Sequence, residues 1–222
     1  MLFGSSFGNA AFFVVTEDIR VFLFDSQDID FREQTTNIDY QLLRFRMTYM
    51  IKPTKTNAFR SRKDMVKILF ICHGNICRSP MAEFVMKFLV CRNGLNDYFC
   101  IASAATSTEE CGNPVHPGTR NKLRQYGIST EGKYAVTMKR SDYEKYDYII
   151  GMEKYNIRNI LRIVGSDPKK KVYCLLDFTD RPGDIADPWY TGNFEKTYED
   201  VLEGCRALLK FLCLENGWPL KL

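Results

Sequence analysis

The chain has no apolar run long enough to cross a membrane: its first hydrophobic stretch, Ala10 to Val15, falls far short of the roughly 20 residues a spanning helix needs. No membrane insertion is therefore expected. That stretch also lacks a basic start, so it does not read as a secretory signal. Eight cysteines without such a signal argue against a disulfide framework, and a reducing cytoplasm is the expected setting. CxxC and HxxxH pairs are both missing, which removes the spacing that structural zinc requires, and no metal is expected. There is no GxGxxG and no GxxxxGK[ST], so nucleotide binding has no support and no cofactor is expected. An excess of either charge is lacking too. With 31 basic and 27 acidic residues the net charge is only +4, without the clustered basic patch of a nucleic-acid binder. No internal repeat is present, which excludes a solenoid.

What is present points to a compact folded domain. A chain of 222 residues with 45% hydrophobic content can bury one sizeable core, so one domain with an extension is expected. The most informative segment is Cys72-His73-Gly74-Asn75-Ile76-Cys77-Arg78-Ser79, between the apolar run Val66 to Ile71 and a helical pattern opened by Pro80. A cysteine, five residues and an arginine let one turn of backbone aim its N–H groups at a tetrahedral oxyanion. The positive end of the following helix favours the same anion. A thiol placed at a helix N-terminus beside a guanidinium ionises readily, so a Cys72 thiolate is the expected nucleophile. Arg78 can grip two oxygens with its planar fork, which lysine cannot. Gly74 permits close backbone approach, Asn75 tolerates a left-handed conformation, and Ser79 can donate to the thiolate. Residues 73 to 79 are accordingly the expected phosphate-binding loop, with His73 contributing through its backbone and its side chain turned outward. Alone, CxxxxxR spacing is common, and a buried cysteine is usually a small hydrophobe. The combination of strand, glycine, asparagine, Arg-Ser-Pro and helix is far more specific. A zinc site from Cys72, His73 and Cys77 is the competing reading, and it lacks a fourth ligand.

Strand-like and helix-like runs alternate after Met65. Strands are expected at Val66 to Ile71, Phe99 to Ala105, Tyr148 to Met152 and Val172 to Leu176. Helices are expected after Pro80, with Met81, Phe84, Val85, Phe88 and Leu89 on one face, then up to Gly127, over Tyr155 to Val164 and over Phe194 to Leu212. Such alternation specifies an α/β fold: an open four-stranded parallel sheet with helices on both faces, its phosphate loop after the first strand. The site then lies at the carboxyl ends of the strands.

The run Val66 to Glu83 resembles the opening of a low-molecular-weight protein tyrosine phosphatase. Asp187-Pro188-Trp189-Tyr190 resembles that family's late general-acid loop. Ser103-Ala104-Ala105, Asp147 to Met152 and Asn156 recur between them in the family's order, and the likeness covers about residues 65 to 215. The resemblance implies a hydrolase that cleaves phosphotyrosine in proteins through a cysteinyl-phosphate, with Cys72, Arg78 and Asp187 catalytic. Ile76, Glu109, Trp189 and Tyr190 then form the substrate pocket, Trp189 and Tyr190 able to sandwich a ring and equally able to be simple packing. Asp177, Asp180 and Asp184 read as solvated loop charges. Cys77 is either a buried small side chain or, as the resemblance favours, a redox partner that forms a reversible disulfide with Cys72. A monomer is expected. Four positions depart from the pattern: Lys133 and Val136 stand where the family carries His and Arg, the histidine being the brace of the loop asparagine. Glu109, followed by Glu110, stands where an aromatic is common and makes the rim acidic, and Glu153 replaces an aspartate.

Rival functions keep their own discriminators. Arsenate reductases of this fold need two further relay cysteines, and Cys91, Cys100, Cys111, Cys174, Cys205 and Cys213 offer no such pair. Phosphoarginine phosphatases typically carry threonine where Ile76 stands. A non-catalytic phosphate-binding module is expected to lose Cys72, Arg78 or Asp187. Residues 1 to 64 differ in character, lacking cysteine and ending in basic clusters around Lys52 to Asn57 and Arg60 to Lys63. We expect translation to start naturally at Met65, so that 65–222 is the phosphatase domain and 1–64 an extension. A partner-binding or membrane-surface segment on a basic linker is the competing reading of the extension.

Overall fold

The computed structural model describes residues 65–220, and the expected extension, 1–64, lies outside the described residues. Among the described residues the four strands are β1 (Val66–Cys72), β2 (Phe99–Ala105), β3 (Tyr148–Gly151) and β4 (Val172–Cys174). They form one parallel sheet in the order β2-β1-β3-β4. The helices are α1 (Arg78–Arg92), α2 (Pro117–Arg124), α3 (Asp142–Lys145), α4 (Lys154–Val164), α5 (Pro188–Thr191) and α6 (Phe194–Asn216), with short 3-10 turns at Asn96–Tyr98 and Leu175–Phe178.

β1 shows why the apolar run is continuous instead of alternating. Ile68 and Phe70 pack on one side among Val85, Met86, Leu208 and Leu212, while Leu69 and Ile71 pack on the other with Ile149, Ile160 and Val164. A strand covered on both faces must be apolar on both. Each such side chain contributes about 1.5–3 kcal/mol by leaving water. β1 therefore anchors the loop that follows it in a strand buried on both faces.

The element bounds differ from the sequence expectation for local reasons. α1 begins at Arg78, not Pro80, so the proline occupies the first turn, where the missing N–H needs no partner. Its deeply buried residues are Met81, Ala82, Val85, Met86 and Val90, whereas Phe84, Phe88 and Leu89 are only partly buried. The helix lies between the sheet and α6, so it buries two faces and a single stripe is a poor description of it. β4 stops at Cys174, three residues from Asp177, whose carboxylate accepts the Cys174 N–H at 2.8 Å and caps the 3-10 turn. α6 runs on to Asn216 and ends at Gly217, whose φ of +68° suits a residue without Cβ.

Candidate active site

The loop 73–77 leaves the carboxyl end of β1 and turns directly into α1. Asn75 sits at φ +58°, the left-handed conformation that lets consecutive N–H groups converge on one point. Its own N–H points at Cys72 Sγ at 3.3 Å, and Ser79 Oγ lies 3.1 Å from the same sulfur. The sulfur is buried and faces the N-terminus of a 15-residue helix. An N–H donor, a hydroxyl and a helix end thus face one sulfur, an arrangement that suits negative charge there.

Arg78 follows immediately and is 1% exposed. Nη1 donates to Ile185 O at 3.1 Å and pairs with Glu153 Oε1 at 2.9 Å, while Nη2 pairs with Asp187. Its Nε–H is buried with no protein partner among the described residues. Buried donors are nearly always satisfied, so this one is available to an oxyanion. Asp187 comes from the far side of the fold as the N-cap of α5, where Oδ1 accepts the Trp189 N–H at 3.1 Å. Chain segments 109 residues apart meet at this ion pair. The neighbouring acids are engaged elsewhere: Asp184 accepts the Lys154 N–H at 2.9 Å and Asp177 that of Cys174. Both are exposed, as expected of solvated loop charges, and each also accepts a backbone N–H.

Around the mouth, the His73 ring turns away from the sulfur and meets Glu109 at 2.9 Å. Glu110 lies over Gly74 so closely that a Cβ there would come within 2.9 Å of its Cγ. Trp189 and Tyr190 are 56% and 85% exposed, and Trp189 meets the His116 ring edge-on. His116 N–H donates to Ile76 O at 2.9 Å, which ties the start of α2 to the loop. Cys77 is buried, and burial first, then the charges of Cys72 and Asp187, push its thiol up to about 12. It is therefore a neutral thiol at physiological pH.

The brace of Asn75 is the feature that sequence reasoning missed. Its Oδ1 accepts the Val136 N–H at 3.1 Å, so the backbone of that position serves where its side chain cannot. Its Nδ2 donates to Ser79 Oγ and to Ser103 Oγ, each at 2.8 Å. Ser103 Oγ in turn donates to Glu83 Oε2 at 2.5 Å, and Lys133 Nζ binds both Glu83 Oε2 at 2.9 Å and Ser103 O at 3.0 Å. A buried Glu83–Lys133 pair thus holds the serine that holds the asparagine. Glu83 was visible only as a charge at an otherwise apolar helix position, and nothing local to it pointed at Lys133.

The pair carries a pH signature. Burial alone would raise the Glu83 carboxyl, but Lys133, with hydrogen bonds from Lys87 and Ser103, holds it below the usual carboxylate range. A depressed carboxylate contributes stability that is complete above its unfolded value, near 4.3, and disappears as pH falls through the folded value. Glu83→Gln strands the Lys133 ammonium and is expected to cost about 3 kcal/mol at pH 7. In calorimetry this is a fall in Tm of roughly 6–12 °C. Because the wild type loses the contribution on acidification, the gap should narrow toward pH 3; equal melting temperatures at pH 7 would refute the brace.

The comparisons with known proteins agree with this geometry. Residues 67–216 match the family model described as low molecular weight phosphotyrosine protein phosphatase. The low molecular weight protein-tyrosine-phosphatase YfkJ of Bacillus subtilis (strain 168) is 39% identical over 147 residues, covering 65% of this chain and 94% of YfkJ. The crystal structure of YfkJ superposes with a TM-score of 0.67 at 38% identity, covering 69% of this chain and 98% of that one. The low molecular weight protein tyrosine phosphatase SP-PTP of Streptococcus pyogenes superposes with a TM-score of 0.61 at 42% identity, covering 67% and 93%. From its sequence, its parallel sheet and its loop after β1, the chain belongs to the low molecular weight phosphotyrosine protein phosphatase family and is a protein-tyrosine phosphatase.

Proposed function

We propose that Cys72, Arg78 and Asp187 divide the chemistry of phosphotyrosine hydrolysis between them. The observation that carries the reading is the convergence of a buried sulfur, an unsatisfied guanidinium N–H and a carboxylate at the mouth of α1. Cys72 Sγ attacks phosphorus in line and the bond to the phenolic oxygen breaks, while Asp187 gives that oxygen its proton. The loop N–H groups of residues 73 to 79 and the Arg78 fork hold the equatorial oxygens throughout. Asp187 then takes a proton from the water that attacks the cysteinyl-phosphate, and the S–P bond breaks. In the free site Asp187 rests on Arg78, so an entering phosphate, claiming the fork bidentately, frees the carboxylate for the leaving group.

Ile76, Glu109, Trp189 and Tyr190 form the pocket in this reading, the two exposed aromatics offering faces for a phenyl ring. All groups of the site come from one chain, so a monomer suffices. All eight cysteines are free thiols, which suits a reducing cytoplasm, and no helix among the described residues is long and apolar enough to cross a membrane. Cys77 lies near enough to Cys72 to feel its charge, and that nearness supports a redox role in spite of the neutral thiol. Hydrogen peroxide would oxidise Cys72 to the sulfenic acid, and Cys77 would condense with it to the disulfide with loss of water.

The test is steady-state turnover on matched phosphotyrosine and phosphoarginine peptides, with arsenate reduction assayed alongside. Phosphotyrosine is expected to lead in kcat/KM by about tenfold or more, each tenfold being a difference of about 1.4 kcal/mol in the transition state. Faster release from phosphoarginine, or thiol-dependent arsenate turnover, would reassign the substrate.

A further inference from the structure

Beside the catalytic mouth, a groove of about 500 Å³ runs between the exposed side of α2 and the segment 127–134 that follows it. Thr119, Lys122 and Leu123 face inward from α2, with Lys122 tied to Glu195 at 2.5 Å, so Arg120 and Arg124, one turn apart, face the groove. Both are exposed, and neither has an ion-pair partner among the described residues; Arg124 reaches only Asn121 Oδ1, at 3.5 Å. Across from them lie Ser129, Thr130 and Glu131, and Tyr134, 58% exposed, closes one end. Lys133 lines the groove too, but its ammonium is committed to Glu83 and to Ser103 O.

The segment Gly127 to Lys133 has the spacing GxxxxGK, which invites a nucleotide reading. Three observations refuse it. Tyr134 stands where a Ser or Thr hydroxyl would meet the metal, no helix opens after Lys133, and the lysine points into the protein. What remains free is a pair of guanidinium forks in an open channel, chemistry that suits carboxylates.

The groove is joined to the active site by backbone. Pro114 pairs with Tyr134 at its edge, Gly112 N–H donates to Ala135 O, and His116 N–H donates to Ile76 O in the phosphate loop. On the other side of Pro114 stand Glu109 and Glu110, so the surface is acidic at the rim and basic in the groove. A peptide crossing both, at roughly 3.3 Å per extended residue, meets repulsion for acidic side chains next to the phosphotyrosine and attraction for those farther away.

We infer that this groove is a docking channel for an acidic segment of the phosphoprotein substrate, whose carboxylates pair with Arg120 and Arg124; the inference rests on the phosphotyrosine reading above. Glu131 is its one opposing charge and sets a sign that the test can use.

The full chain is assayed on three phosphotyrosine peptides: one with an Asp/Glu run several residues from the phosphotyrosine, its Asn/Gln counterpart, and one with the acidic run directly adjacent. The distal acidic peptide should have the lowest KM. Arg120→Gln combined with Arg124→Gln should raise that KM by about three- to tenfold, the range expected of exposed charge pairs, and leave kcat and the neutral peptide unchanged. Glu131→Gln should lower it. The advantage should vanish near 1 M salt, where the Debye length is about 3 Å. Equal KM values for the distal acidic and neutral peptides, or an acidic preference that survives the double substitution, overturns the inference.

A second arm needs no catalysis. Fluorescence anisotropy of an unphosphorylated acidic peptide should show binding that weakens in the double variant. If aryl phosphate turnover is absent the phosphatase reading fails while this arm still reads the groove, and if the peptide instead competes for the catalytic pocket in wild type and double variant alike, the groove fails by itself.

Discussion

Cys72→Ser should lower turnover of any phosphate monoester by roughly 10⁴–10⁶-fold, the scale seen when a covalent nucleophile is removed, while the protein still binds inorganic phosphate or vanadate. The prediction separates the two jobs of the loop. Binding depends on N–H groups, Arg78 and the helix end, none of which the substitution touches, whereas bond formation needs a sulfur that Ser79 and Asn75 N–H already face. Arg78→Lys should lose both, because a single ammonium cannot meet Ile185 O, Glu153, Asp187 and a phosphate together. Titration calorimetry with phosphate and single-turnover kinetics on an aryl phosphate distinguish the two variants. Activity retained in Cys72→Ser would sink the covalent mechanism, as would sensitivity to chelators. The same thiol contrast bears on oxidation. With Cys77 held near 12 by burial, iodoacetate at pH 7 should leave Cys77 unlabelled while Cys72 reacts. After hydrogen peroxide, reductant should restore a larger fraction of starting activity to the wild type than to Cys77→Ala, since only the former can store the oxidised sulfur as a disulfide.

Much of the fold was legible because the chain follows local rules. A continuous apolar strand leads into a loop with Gly74 and Asn75 and then into a helix, and that order alone places an anion site at the end of β1. Asp187 was legible through Asp-Pro-Trp-Tyr, since Pro188 fixes the turn and the aspartate caps it. The contacts that join distant segments were not. The Glu83–Lys133 pair spans 50 positions, and Glu83 reads as an ordinary surface charge on a helix until Ser103 of β2 and Lys133 meet it in a buried setting. Lys133 was legible only as a departure from a family histidine, which suggested a missing brace. Here Ser103 and the backbone of Val136 brace the asparagine. Asp177 and Asp184 are exposed as their loop positions suggested, but the backbone N–H that each accepts was not visible, because an acid that also caps looks, in sequence, like any loop acid.

Asp187→Asn should reduce kcat for phosphotyrosine and other poor leaving groups by about 10²–10⁴-fold, the usual worth of general acid catalysis, and should spare activated aryl phosphates whose phenolates leave without a proton. The substitution is clean in this setting. Asparagine caps a helix as well as aspartate, so its side-chain oxygen can still accept the Trp189 N–H and α5 stays in place. Arg78 keeps Glu153 and Ile185 O and gains nothing that would turn it from the phosphate. Two effects then oppose each other at the level of binding: the guanidinium no longer has to leave Asp187, which favours phosphate, while the acid is gone. KM for phosphotyrosine should therefore fall or hold as kcat drops, and the dependence of kcat on leaving-group basicity should steepen. An equal loss on both classes of substrate would place the proton elsewhere. Asp184 and Asp177 are committed to backbone N–H groups, so Asp180 would be the next residue to replace.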